Sequence, residues 1–275
     1  MPDAANSTHL SNYYSPINIT DCLLENALSI RQWDSDRVWD LLKSPADRMV
    51  WPEFGVHSWT ANARYGLELN HAVIPSGITQ DPLYYTGAPS YISYSSIGSI
   101  VGHEMTHGFD TNGRLWNEKH EFKTWWDESS MAAFNNKSDC FVKQYSEMRA
   151  VDHFGDALSG DNGEPLFVNG TKTIAENIAD TGGLIAAWEA WVRQENRSSS
   201  KLLPGLEEFS KEQLFYINFG QNWCSINSAK SMQVQMQSPT DQHAPKFARI
   251  LGPTQNSKAF NEVWKCNRKP VCELW

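Results

Sequence analysis

The first chemical signal in this chain is His103-Glu104-Met105-Thr106-His107. On an α-helix, residues four apart share a face, so the two imidazoles can grip one metal ion while Glu104 points close to it. This H-E-x-x-H spacing suits zinc-assisted hydrolysis of a peptide bond. Zinc makes bound water acidic, and a carboxylate beside it can take the proton as the water attacks a carbonyl. Asp110, three residues past His107, can accept a hydrogen bond from a ligand imidazole and fix its tautomer. The plain alternative is a helix with two solvent-facing histidines.

A catalytic zinc site needs three protein ligands and an open position. A third candidate lies in Thr173-Ile174-Ala175-Glu176-Asn177-Ile178-Ala179-Asp180-Thr181-Gly182-Gly183, which runs on through Trp191 as a helix. Glu176 and Asp180 are one turn apart on the same face. Glu176 can reach the metal, and Asp180 can hold a ligand histidine from behind. Two inward carboxylates are costly without positive charge, which zinc provides. The alternative is a capping box, Thr173-x-x-Glu176, in which Glu176 bonds backbone instead.

Elements must hold these groups in place. Residues 91–101 lead into the first metal helix, expected over 95–110, with serines available as N-caps and no proline from Pro89 to Pro165. The second metal helix is expected over 173–194. Residues 23–42, 119–149 and 209–223 also suggest helices, and 196–201 a loop. Alternation in 56–75 suggests strands that form a hairpin turning near Gly66. Residues 1–20 suggest a loose polar lead-in. The expected class is α-rich α+β, a mainly helical domain over 21–275 with a small antiparallel sheet.

With both motifs in hand, the chain resembles the catalytic part of the neprilysin family, zinc endopeptidases that include the endothelin-converting enzymes. Gly102 to Asp110 resembles the family's metal helix, and Glu176-Asn177-Ile178-Ala179-Asp180 its third-ligand motif. Asn62-Ala63-Arg64-Tyr65, continued by Ile74 to Gln80, resembles the substrate-holding strand. Asp241-Gln242-His243-Ala244-Pro245 and Arg249 resemble the transition-state loop, and Cys272-Glu273-Leu274-Trp275 the chain's close. The resemblance implies a thermolysin-like catalytic domain with one zinc ion held by His103, His107 and Glu176. It implies that Glu104 polarises water and that Asp110 and Asp180 orient the histidines. Asn62 and Ala63 would hold the substrate main chain as an added strand. His243, oriented by Asp241, would donate to the oxyanion, and Arg249 would bond a substrate carbonyl. Ile78, Leu83 and Trp223 would wall a hydrophobic pocket beyond the scissile bond. From composition alone, Asn62 is a turn residue, His243 lies in a proline-rich loop, Arg249 is a surface charge, and the pocket wall is core.

The chain has 275 residues, a net charge of −9, 40% hydrophobic and 20% charged residues. That is globular and large enough for a real core. No basic cluster suggests nucleic acid. No apolar run approaches the ~20 residues of a membrane span, and no leader pattern follows Met1. The five cysteines are Cys22, Cys140, Cys224, Cys266 and Cys272, an odd count without zinc-ribbon spacing. The resemblance implies that Cys140 pairs with Cys272, and that Cys224 and Cys266 pair with cysteines before Met1. Sequons begin at Asn6, Asn18, Asn136, Asn169 and Asn196. With the cysteines they indicate a glycosylated extracellular setting.

Family members are much longer, with an N-terminal helical lobe over the substrate chamber. Two readings follow. One is an active endopeptidase that cuts small peptides on the amino side of hydrophobic residues. The other is a truncated zinc-binding relative without turnover, acting as a binding module or decoy.

Overall fold

The computed structural model describes residues 5–45, 57–119, 121–152 and 154–274. Val56 and His120, which fall inside expected elements, and the closing Trp275 lie outside the described residues. The chain divides into two units, residues 1–55 and 56–275.

In the first unit, helix α1 (Ser7–Tyr14) replaces part of the expected loose lead-in. The Asn6 side chain starts it by accepting from the amides of Thr8 and His9, which satisfies donors that a helix start leaves bare. Helix α2 (Leu23–Asp40) continues as a 3-10 turn through Lys43. Tyr13 and Tyr14 pack on Trp33, and the Arg37 guanidinium lies 4.7 Å from the Trp33 ring.

The second unit has the expected α-rich architecture with a small sheet. That sheet is a hairpin of β1 (Arg64–Gly66) and β2 (His71–Val73), antiparallel, with Arg64 opposite Val73 and Gly66 opposite His71. It is shorter than the strands expected over 56–75. The Ser58 carbonyl is taken by the Gly77 amide and the Ser76 hydroxyl, so this stretch folds as a clasped turn. Gly66 closes β1 rather than centring the turn, and Asn70 turns the chain back with φ 52°, a conformation asparagine tolerates.

The first metal helix starts earlier than expected. It runs as α3 (Ser90–Ser93), a π turn (Tyr94–Gly98), α4 (Ser99–Thr106) and a 3-10 turn (His107–Phe109). Its serines are not N-caps. Ser95, Ser96 and Ser99 donate to the carbonyls of Tyr91, Ile92 and Ser95 inside the helix, a back-bonding that bends helices. The π turn loosens the ladder, and neighbours complete it. Asn218 donates to Ile92 O and Asn222 to Ser95 O, while Ser96 reaches the Leu83 carbonyl.

Helix α5 (Glu128–Ser146) begins nine residues later than expected, where Asp127 caps the Ser130 amide. Before it, Asn117 draws the amides of Lys119 and Glu121 into a turn. Helix α6 (Gly170–Arg197) is longer than expected at both ends. Helix α7 (Lys211–Gln221) opens on a full capping box between Ser210 and Gln213. Helices α8 (Ala229–Gln237), α9 (Lys246–Asn256) and α10 (Lys258–Val263) carry a stretch with no expected elements. Among the described residues no helix is long and apolar enough to cross a membrane.

Helix α6 is the spine. One cluster packs Ile178 with Phe141, Tyr145, Ala248 and Leu274; the other packs Leu184, Ala187 and Trp191 with Tyr91, Phe215 and Phe219. The Cys140–Cys272 disulfide forms, as the resemblance implies, and ties the C-terminal segment to α5 across 132 residues. Closing so long a loop restricts the unfolded chain by about 4–5 kcal/mol on a chain-entropy view. Cys22, Cys224 and Cys266 are free thiols.

Glu195 fastens the C-terminal turn of α6. It accepts from Lys211 Nζ at 2.5 Å, the Ser200 amide at 2.9 Å and the Ser199 hydroxyl at 3.0 Å. Burial opposes its charge, but Lys211 and Ser200 outweigh that and lower its pKa from 4.5 to about 2. A depressed carboxylate pKa contributes stability above the unfolded value, and the contribution fades as pH falls through the folded one. Glu195→Gln should therefore cost about 2 kcal/mol at pH 7. Denaturant unfolding should show the gap to the parent full above pH 4.5 and closing towards pH 2.

Candidate metal centre

The centre depends on how closely two helices cross. A Cβ on Gly183 would lie 2.6 Å from the backbone of both His103 and Ser99, and one on Gly102 would lie 2.9 Å from Gly183 O. Only glycines permit this approach. It brings α4, which carries His103 and His107, against the face of α6 that carries Glu176 and Asp180.

The capping alternative for Glu176 does not form. Asn169 is the N-cap of α6, accepting from the Lys172 amide, and Thr173 sits inside the helix with its hydroxyl donating to Asn169 O. Glu176 points instead at the histidines. Its Oε2 lies 3.3 Å from His103 Nε2 and its Oε1 3.6 Å from His107 Nε2. The two Nε2 atoms are 3.0 Å apart, and one ligand atom from each of the three residues fits within 4.8 Å of the others.

Each outer nitrogen has a carboxylate behind it. His107 Nδ1 meets Asp110 Oδ2 at 2.6 Å, while Asp110 Oδ1 accepts from the amides of Asn112 and Gly113. His103 Nδ1 lies 2.8 Å from Asp180 Oδ1. With protons on both Nδ1 atoms, the Nε2 lone pairs face each other and the Glu176 carboxylate. Glu176 Oε2 is buried and accepts no hydrogen bond. A cation among these atoms relieves both problems, and two imidazoles with one carboxylate form a donor set for zinc.

The electrostatics agree. Burial alone disfavours a charged His103, but Asp180 and Glu176 outweigh it and raise its pKa to about 9. Burial likewise opposes charge on Glu176, and the surrounding histidines reverse that and lower its pKa. The pocket is built for positive charge. Glu104, 6% exposed, stands apart from this pattern. Burial raises its pKa, and nearby His103 and His107 only temper the rise.

Arg249 is neither a surface charge nor a loop residue. It lies on α9 with its side chain 13% exposed and forms a two-pronged pair with Asp180, at 2.8 and 2.7 Å. Its guanidinium also sits 4.2 Å from the Trp223 ring centroid. Burial opposes the Asp180 charge, but Arg249 and His103 hold its pKa well below the usual carboxylate range. His243 does lie in a loop. Its Nδ1 is 2.8 Å from Asp241 Oδ1, and its Nε2 is 3.3 Å from Glu176 Oε2.

These groups share one cleft of about 720 Å³. Asn62, Ala63, Ile78, Leu83, Trp223, His243 and Arg249 line it together with the metal set and Glu104. Asp241 stands behind His243. Asn62 and Ala63 precede β1 instead of lying inside it. The sequence reading missed the bracing of Asp180 by Arg249 and the presence of Arg64 and Lys246 in the cleft. Lys246 lies three residues before Arg249, a spacing that places both on one helix face once α9 is known to be a helix.

A profile of peptidase family M13 matches residues 62–272. The chain belongs to peptidase family M13. It is similar to an endothelin-converting enzyme homolog from Locusta migratoria, 34% identical over 98% of this chain and 36% of that one. It is equally similar to neprilysin-3 from Drosophila melanogaster, 34% identical over 97% of this chain and 33% of that one. The resemblance drawn from the motifs therefore holds. A zinc metalloprotease of Mycobacterium tuberculosis, Zmp1, solved with an inhibitor, shares the architecture at TM-score 0.74 and 27% identity, over 94% of this chain and 38% of that one. The M13 chain spans about a third of the length of the curated relatives it matches.

The helix crossing makes a sharp prediction. Gly183→Ala should force α4 and α6 apart, costing about 1–3 kcal/mol as overpacking. The same displacement should weaken zinc binding by about 10–100-fold. Denaturant unfolding and competition with a zinc-sensitive dye measure the two effects separately.

Proposed function

We propose that the chain is a zinc endopeptidase that cleaves small peptides on the amino side of hydrophobic residues. The observation that carries this is the convergence of His103, His107 and Glu176 beside the buried Glu104, in a cleft walled by Ile78, Leu83 and Trp223.

His103, His107 and Glu176 would hold zinc, which when bound supplies Lewis acidity that makes water a usable nucleophile at neutral pH. Asp110 and Asp180 keep the histidines' Nδ1 atoms protonated, so that both Nε2 atoms offer lone pairs. Glu104 accepts the proton of the attacking water, and its raised pKa lets it pass that proton on to the leaving amine. The Asn62 side chain and the Ala63 backbone hold an extended substrate as an added strand. His243, aimed by Asp241, donates to the oxygen on which charge develops. Arg249 spends Nε and Nη2 on Asp180, leaving Nη1 for a substrate carbonyl. An apolar wall beyond the scissile bond selects hydrophobic side chains, with discrimination of ~1–3 kcal/mol per methylene. The disulfide and five exposed sequon asparagines support an extracellular setting.

Glu104→Gln separates the metal from the proton transfer. The variant should retain one zinc per chain and lose about a thousandfold in kcat/KM. Peptide products identified by mass spectrometry, beside zinc content by mass, decide it. Zinc without hydrolysis in the parent chain would turn the reading to a binding module.

A further inference from the structure

Four carboxylates line the cleft, and all four are committed. Asp110 is bound to His107 and two amides, Asp180 to Arg249 and His103, Glu176 to the metal set, and Glu104 is buried against both histidines. Arg249 and His243 are committed in turn, to Asp180 and Asp241. Two cations are left. Arg64 and Lys246 both line the cleft and both are exposed. Among the described residues neither forms an ion pair.

Local structure does not explain either residue. Arg64 opens β1 opposite Val73, where a β-branched or aromatic partner would pack better. Lys246 opens α9, whose first turn has no acidic residue and whose N-cap, Pro245, offers no side-chain bond. A helix start is an unfavourable place for a cation. The setting sharpens the contrast, because the chain as a whole carries a net charge of −9. Unpaired cations in the mouth of a cleft focus field there and favour an anionic guest over a cationic one.

On the endopeptidase reading, a peptide in the cleft would lie near both. A peptide laid beside Asn62 and Ala63 runs directly past Arg64, and Lys246 lies one turn before Arg249 on α9. We infer that Arg64 and Lys246 are specificity residues, which make the cleft select peptides carrying an acidic side chain next to the cleaved bond. This rests on the endopeptidase reading and adds a charge requirement to its hydrophobic pocket. The two act on different substrate residues, so they are compatible.

The test uses zinc-loaded chain 1–275 and peptides that differ at one position only, with Glu, Gln or Lys placed in turn at each site near the cleaved bond except the one that the hydrophobic pocket takes. At one or more sites the Glu peptide should exceed its Gln partner about fivefold in kcat/KM, with the gain shrinking as salt is raised. Arg64→Glu or Lys246→Glu should reverse the order to favour Lys at that site. Glu, Gln and Lys peptides cut within about twofold of one another, or an order untouched by both reversals, would overturn the inference. Should the parent cleave nothing, the endopeptidase reading fails by itself. Selectivity is then read on zinc-loaded Glu104→Gln protein by fluorescence anisotropy of the same peptides, labelled. Tighter binding of Glu than Lys peptides, lost in Arg64→Glu, supports the inference; equal binding sinks it.

Discussion

The crossing of α4 and α6 at Gly102 and Gly183 is the constraint on which the rest of the site depends. With no side chain between them, the two backbones sit close enough for Glu176 and Asp180 to reach His103 and His107. That proximity gathers several carboxylates into a half-buried space, which is unfavourable in itself. The arrangement becomes favourable only with positive charge in its midst. Protonated histidine supplies some of that charge in the bare protein, and a bound metal ion would supply the rest.

The crossing is held by what surrounds it. Helix α6 packs into a separate apolar cluster on each side, one closed by the Cys140–Cys272 disulfide and one rich in aromatic rings. Ahead of His103, the π turn of residues 94–98 gives up regular helix bonding, and the side-chain amides of Asn218 on α7 and of its C-cap Asn222 bond the carbonyls of Ile92 and Ser95. The same turn binds the Leu83 carbonyl through Ser96. The Leu83 part of the apolar wall is thereby tied to the helix that carries His103. Such turns recur at functional sites because they redirect a helix without ending it.

Asp180 joins His103 to Arg249 across the cleft. One oxygen faces both His103 Nδ1 and Arg249 Nη2, and the other accepts from Arg249 Nε. Placing His103 and placing Arg249 are therefore one task. Trp223 shares it, since its ring sits beneath Arg249 while it lines the apolar wall.

The sequence by itself determined which side chains could do chemistry together. The His103-Glu104-x-x-His107 spacing, with Glu176 and Asp180 one helical turn apart, fixes which side chains share a face, because helix geometry is local. It also marked α2, α6 and α7 by apolar pattern, though with shifted ends. It left open whether Glu176 caps a helix or faces a metal; the tertiary structure decided against the cap, which Asn169 provides, and set Glu176 beside His103 and His107. The same limit applies to the serines before α4, whose hydroxyls bond within the helix because the chain had already become helical at Ser90. Strands over 56–75 shrank to three residues each, since turn clasps between distant residues took the backbone groups that a longer sheet would need. Helix α9 is amphipathic but carries Pro253 inside it, a residue that argues against a helix, so it was not expected and Arg249 had no predicted neighbour. Its pairing with Asp180 spans 69 residues, and a contact at that separation is set by packing, which no local pattern encodes.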